Sequence, residues 1–153
     1  MSSAPIQLTP SQEILDAQAE IVEIFSMFDD WTDRYQYIID LGRKLSDLPS
    51  AQKIESNRLK GCQSQVWMVT DNQDGRLHYD AISDSAIVSG LIALMLQVYS
   101  DRRPAEIIAT PPSFIQEIEL AEHLSPTRSN GLSAMVQRIR QYAVEALAAE
   151  YKD

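Results

Sequence analysis

A single cysteine, Cys62, is present among the 153 residues of the chain. A lone thiol excludes an internal disulfide, and it excludes a Cys-rich zinc site or an iron-sulfur site whose ligands all come from this chain. Basic residues are also short: 13 Lys and Arg stand against 22 Asp and Glu, giving a formal charge of -9 and a pI near 4.6. Such a field repels phosphate backbones and anionic lipid, so neither nucleic acid nor a membrane surface is the expected partner. A protein or a small molecule fits better. Long apolar runs are missing too, since the longest uncharged stretch, Ser85 to Ser100, contains Gln97 and falls short of the roughly 18 to 20 residues that cross a bilayer. Met1 to Pro10 has neither the basic segment nor the apolar segment of a secretory signal, and it has no arginine. The chain as given therefore reads as cytoplasmic.

What is present is the composition of an ordinary soluble domain, 44% hydrophobic and 23% charged. The length suits one domain over residues 1–153, large enough to bury a core without disulfides or a structural metal. Residues 1–9 read as a loose tail. No internal repeat and no low-complexity segment interrupts the chain.

Thr9-Pro10-Ser11-Gln12 resembles a capping box with proline at the first helical position, which predicts a helix whose apolar stripe runs from Ile14 to Phe28. A second helix is expected over Trp31 to Leu45, stopped by Pro49. From Ala51 to Gln65 the helical period disappears, and Lys53, Arg58 and Lys60 gather against only Glu55. Gln65 to Thr70 and Arg76 to Asp80 then read as two strands joined by a turn at Asn72 to Gly75. Ser83 or Asp84 is placed to cap a central core helix carrying Ile87, Val88, Leu91, Ile92, Leu94 and Met95. Prolines divide the following stretch into helical pieces over Ala105 to Ala109 and Ser113 to Ala121. A loop from His123 to Gly131 and a last helix from Leu132 to Tyr151 complete the pattern. The fold class is α+β, a small antiparallel sheet with helices packed on one face. Trp31, Trp67, Met68 and Met95 read as core residues, and His78 as an ordinary strand residue.

Gly61-Cys62-Gln63-Ser64-Gln65 falls at the entry to the first strand, where a thiol is fixed to a rigid element yet stays near the surface. The thiolate is the nucleophile, and Lys53, Arg58 and Lys60 are close enough in sequence to raise its ionised fraction. The bland alternative is that Cys62 is a small buried hydrophobe. Arg128 likewise has two readings, a planar cation facing an anionic sulfur or a partner carboxylate, or an arginine tying its loop to its neighbours. His123 could relay a proton or hold backbone at a helix end.

Four segments together resemble the SufE family: Asp30-Trp31, Leu41 to Leu45, Gly61 to Trp67, and His123 to Leu132, with Ile87 to Ala93 fitting the family's central helix. The resemblance covers about residues 25–145. It implies a fold shared with the IscU-type scaffolds and a Cys62 that accepts sulfane sulfur as a persulfide. It implies as partners a SufS-like cysteine desulfurase carrying pyridoxal phosphate, and an iron-sulfur scaffold in a SufB-containing complex. No cofactor and no metal of its own is expected for this chain, and a homodimer is left open. Gly61, Gln63, Ser64, Gln65, Asp84, His123 and Arg128 are the residues expected to serve the partner or the sulfur. Two departures stand out. Relatives often read Asp-Ser-Asp where this chain has Ile82-Ser83-Asp84, so only Asp84 carries over, and Asp101-Arg102-Arg103-Pro104 lacks the commoner neutral turn. Relatives also tuck the cysteine into an apolar pocket, which implies that Cys62 turns inward against the sheet and the core helix. The loop over 53–63 would then swing it outward on docking.

Two other classes of function are open on the residues alone. Cys62, His123 and Asn130 follow the order of nucleophile, base and orienting amide in papain-like hydrolases, although nothing around Cys62 resembles that family's helix-start signature. A structural adaptor with an inert Cys62 is the other.

Overall fold

Ser11, not Thr9, starts the first helix. Its hydroxyl accepts a hydrogen bond from the Ile14 amide at 3.3 Å, which leaves Pro10 outside the helix and shifts the expected cap by two residues. The computed structural model describes residues 8–152. Most of the tail expected over residues 1–9 lies outside the described residues. Helix α1 (Gln12–Ser26) buries Ile14, Gln18, Ile21 and Phe25 along one stripe. Asp30 caps helix α2 (Trp31–Arg43) by accepting the Asp33 amide at 2.9 Å.

Two short 3-10 turns, Ser50–Gln52 and Glu55–Asn57, occupy the stretch where the helical period fails. Strands β1 (Val66–Gln73) and β2 (Arg76–Ser83) pair antiparallel from Val66 opposite Ser83 to Gln73 opposite Arg76. The turn between them places Asp74 and Gly75 at φ of 54° and 87°, the left-handed pair that a tight two-residue hairpin demands. Val66, Met68, Leu77, Tyr79 and Ala81 form the buried face of the hairpin. Trp67 lies on the other face, half-exposed, with the Lys53 ammonium 6.0 Å from its ring centre. It is not a core residue, because register places its neighbours Val66 and Met68 inward and strand side chains alternate. Trp31 is partly buried at the edge of the core, whereas Met68 and Met95 are fully inside.

Helix α3 (Ala86–Tyr99) runs through the centre and is buried nearly all round. Its cap is Ser85, which accepts the Val88 amide. Ser83 and Asp84, the expected caps, are committed elsewhere: the Ser83 hydroxyl accepts the Ser85 amide at 3.1 Å, and the Asp84 carboxylate accepts the Gln65 amide at 3.0 Å. Helix α2 crosses α3 at backbone contact. A side chain at Gly90 would run into the Ile38 carbonyl, and one at Gly42 would come within 2.9 Å of the Ser89 carbonyl carbon.

Helices α4 (Pro104–Ala109) and α5 (Ser113–Glu117) follow. Buried Gln18 ties α1 to the start of α5, donating to the Pro111 carbonyl at 3.1 Å and accepting from the Phe114 amide at 3.0 Å. Helix α5 ends well before Ala121, since Glu119 adopts a left-handed φ of 58°. The largest departure from expectation is the last helix, α6 (Pro126–Lys152). The Ser125 hydroxyl accepts the Arg128 amide at 3.3 Å and Pro126 opens the helix, so Arg128, Asn130 and Gly131 ride on helix instead of loop.

Candidate functional site: a thiol held against the start of the last helix

The segment before β1 folds back on the strand it feeds. Buried Leu59 donates its amide to the Val66 carbonyl at 2.8 Å, and Arg58 forms a single bridge to Trp67. Gly61 then reverses the chain at φ +90°, a backbone region that residues with side chains rarely adopt. The reversal delivers Cys62 to the flank of α6. Its side chain is half-buried and packs on the core, and its Sγ donates to the Gly131 carbonyl across 3.8 Å. The inward turn expected of Cys62 is therefore toward α6, with α3 contributing Val88.

A cavity of about 320 Å³ opens beside the sulfur. Buried Val88, Gly131 and Met135 form its inner wall, and Gln63, Ser125, Thr127 and Arg128, all exposed, form its mouth together with partly buried Ser64. From inside, the apolar side chains of Val88 and Met135 border the cavity beside the Gly131 carbonyl, and from outside polar side chains do. The first turn of α6 lies at this mouth, so the positive end of its dipole and the Arg128 guanidinium favour an anion there. Among the described residues the Arg128 side chain forms no ion pair.

Burial pushes the Cys62 thiol pKa up, because the thiolate is poorly solvated. The three cations expected to lower it do not. Lys53 is paired with Asp47 at 2.9 Å and Arg58 with Glu55 at 3.6 Å, while Lys60 is exposed. Burial accordingly favours the neutral thiol over the thiolate.

The remaining expected residues lie apart from the cavity. Gln65 and Asp84 bind each other, Asp84 also donating its amide to the Gln65 carbonyl at 3.3 Å. His123 ends a 3-10 turn (Ala121–His123), where its Nδ1 lies 3.0 Å from the Glu119 carbonyl oxygen. Its ring stacks on Trp31 at 3.9 Å between centres, and its carbonyl accepts from the Tyr35 hydroxyl. Neither His123 nor Asn130 lines the Cys62 cavity, so the order Cys, His, Asn in sequence is not matched by a shared site. Ser125, Thr127, Gly131 and Met135 line the cavity but are not among the site residues expected from sequence, the first three falling only within the family-resembling segment from His123 to Leu132. The signal was there: Ser125-Pro126 is a helix-start pair, and Thr127, Gly131 and Met135 follow at intervals of four, one face of a helix.

The SufE family, described as an Fe-S metabolism associated domain, matches residues 19–143. The chain belongs to the SufE family. That match runs from within α1 into α6 and includes the whole Cys62 cavity, and it associates the chain with iron-sulfur metabolism. An uncharacterized SufE-like protein of Rhizobium meliloti is 39% identical over 135 residues, covering 85% of this chain and 96% of its own. A second, from Rhizobium etli, is 41% identical over 135 residues, covering 85% and 91%. The solution structure of a hypothetical protein from Thermus thermophilus superposes with a TM-score of 0.72 at 21% identity, over 86% of this chain and 96% of that one. The last likeness shows the shared SufE-like α+β fold. Among the described residues, no helix is long and apolar enough to cross a membrane.

Proposed function

We propose that this chain is a sulfur acceptor and carrier that takes sulfane sulfur onto Cys62 from a cysteine desulfurase, stimulates that enzyme, and delivers the sulfur to an iron-sulfur scaffold. The observation that carries the reading is the placement of the only cysteine at a cavity with an apolar inner wall and a polar, positively charged mouth. A hydrolase of the papain-like order needs its histidine beside the thiol, and neither His123 nor Asn130 lines this cavity; a structural thiol needs no cavity. A carrier needs a thiol, room for one more sulfur, and protection in transit.

The transfer balances as thiol exchange. The Cys62 thiolate attacks the terminal sulfur of a persulfide on the desulfurase; a sulfur-sulfur bond to Cys62 forms as the donor's breaks, and the electron pair leaves on the donor thiolate. One such bond replaces another, so no outside oxidant is consumed. An acceptor thiolate on the scaffold later repeats the step. With no second thiol in the chain, no internal cysteine can attack the persulfide and discharge it as sulfide. The pyridoxal phosphate belongs to the desulfurase, and this chain works without a cofactor of its own. Arg128 and the first turn of α6 favour the sulfur anion, the helix end by about 0.3 to 1 kcal/mol. Gln63 and Ser64 offer neutral hydrogen bonds at the same mouth. Because the free thiol is half-buried and its pKa raised, docking swings the loop over 53–63 outward before attack.

Intact mass after incubation with a pyridoxal-phosphate cysteine desulfurase and cysteine tests the reading. The wild type is expected to gain one sulfur atom that reductant removes, and Cys62→Ser to stay folded, gain none and leave the desulfurase unstimulated. Equal stimulation by Cys62→Ser sinks the carrier reading.

A further inference from the structure

Gly131 is an expensive residue where it stands. It occupies the second turn of α6, with no positive φ to require it, and glycine inside a helix is among the least favourable residues, well below alanine. Nor does helix packing demand it, as it does at Gly90. The atoms that a side chain at 131 would meet belong to Cys62: the Sγ at 3.4 Å and the Cβ at 3.9 Å. Those are tight but tolerable contacts for a thiol. For a thiol carrying another sulfur they would close one side of Sγ to the added atom.

A sulfur-sulfur bond is about 2.05 Å long, so with a methyl carbon 3.4 Å from Sγ a terminal sulfur keeps roughly 3.6 Å from that carbon only by pointing at least about 80° away from it. The missing side chain leaves that whole sector open, and Gly131 lines the cavity that the sector faces. The Gly131 carbonyl, 3.8 Å from Sγ, is the other half of the arrangement: it takes the S–H of the resting thiol.

We infer that Gly131 is the residue that makes room for the persulfide, its absent side chain defining where the terminal sulfur lodges beside α6. The inference rests on the carrier reading and adds to it the subsite for the transferred atom. Gly131 admits the second sulfur while leaving the bare thiol unaffected.

The test is Gly131→Ala, loaded by a cysteine desulfurase with cysteine and followed by intact mass, alongside circular dichroism and thermal unfolding of the unloaded protein. Alanine should preserve or raise helix content and leave the thermal midpoint equal to or above the wild type. The fraction carrying one extra sulfur should fall about tenfold, the scale of crowding one methyl into a packed site. Val88→Leu, which fills the same cavity from α3, should also shorten the life of the adduct. Wild-type occupancy and lifetime in folded Gly131→Ala overturn the inference. So does an unfolded Gly131→Ala, since the space at 131 would then not admit a methyl beside a bare thiol. Failure of the wild type itself to accept sulfur sinks the carrier reading instead, and the two results are separate.

Discussion

The Cys62 Sγ lies 3.8 Å from the Gly131 carbonyl oxygen, which joins the loop before β1 to the second turn of α6. A carbonyl is a partner for S–H and a poor neighbour for a thiolate, and burial adds to the same preference. The folded thiol pKa is raised, so the folded chain holds this proton more tightly than the unfolded one. The corresponding stability is fully present below the unfolded thiol pKa and is lost as pH rises through the folded value. Wild type is therefore expected to lose stability relative to Cys62→Ser as pH climbs from about 8 to 10, starting near the ordinary cysteine pKa of about 8.5. Thermal unfolding of both proteins across that range measures the gap, and a gap independent of pH would contradict the buried, neutral thiol. Tyr79 and Tyr99, also raised by burial, are common to both proteins and cancel.

The contact of α2 with α3 gives a prediction about stability alone. Gly90 faces the backbone of Ile38, and neither partner is the movable end of a side chain. Gly90→Ala is expected to cost about 3 kcal/mol, the upper part of the usual overpacking range, despite the better helix propensity of alanine. Urea unfolding should show a lowered midpoint with an unchanged slope. A midpoint equal to the wild type would mean that the helices can separate freely.

His78 offers a second pH test, of a histidine instead of a thiol. Its Nδ1 is 2.7 Å from the Asp101 carboxylate and its Nε2 3.5 Å from Asp80. The hydrogen bond to Asp101 holds its pKa above the usual histidine range. The stabilisation is present below the unfolded histidine pKa and disappears as pH rises through the folded one. His78→Gln should cost up to about 1 kcal/mol near pH 5.5, as a screened surface pair does, and almost nothing near pH 8.5. Equal costs at both would assign the loss to packing.

Much of this arrangement was legible in the chain. Branched and aromatic residues on either side of Asn72-Gln73-Asp74-Gly75 marked the hairpin, and the run from Ile87 to Met95 marked a helix with no polar face. The lone Cys62 at the entry to a strand marked the site. The start of α6 was harder. Ser129, Asn130 and Gly131 are weak helix formers, and their composition reads as loop until Ser125 and Pro126 are taken as cap and first turn. Proximity in sequence also misled: Lys53 and Arg58 are near Cys62 along the chain, but Asp47 and Glu55 take their charge. Trp67 went outward because strand alternation, not hydrophobicity, decides its face. Arg102 had no role on sequence grounds, since its partner Glu13 becomes a neighbour only when the chain after α3 comes beside α1.

The two arginines that fold and function treat differently give the last prediction. Arg102 is buried; its Nε donates to the Val98 carbonyl at 3.0 Å, closing the C-terminus of α3, and its guanidinium meets Glu13 at 2.8 Å. Arg128 is exposed at the cavity mouth and pairs with no carboxylate among the described residues. Truncating Arg102 leaves a helix end without its donor and should cost about 2 kcal/mol, in the range for hydrogen bonds to charged groups. Truncating Arg128 should change stability by less than about 0.5 kcal/mol, as exposed substitutions do. Their effects on sulfur transfer should reverse. Arg128→Ala is expected to slow loading of Cys62 about tenfold, the loss of one charge-assisted contact to the sulfur anion or the partner, and Arg102→Ala to load normally wherever it remains folded. Loading rates measured by intact mass, set beside thermal midpoints for both variants, separate the two roles. If the loss of loading follows the loss of stability across Arg128→Ala, Arg128→Lys and Arg102→Ala alike, Arg128 is a structural residue and the anion-facing role proposed for it is wrong.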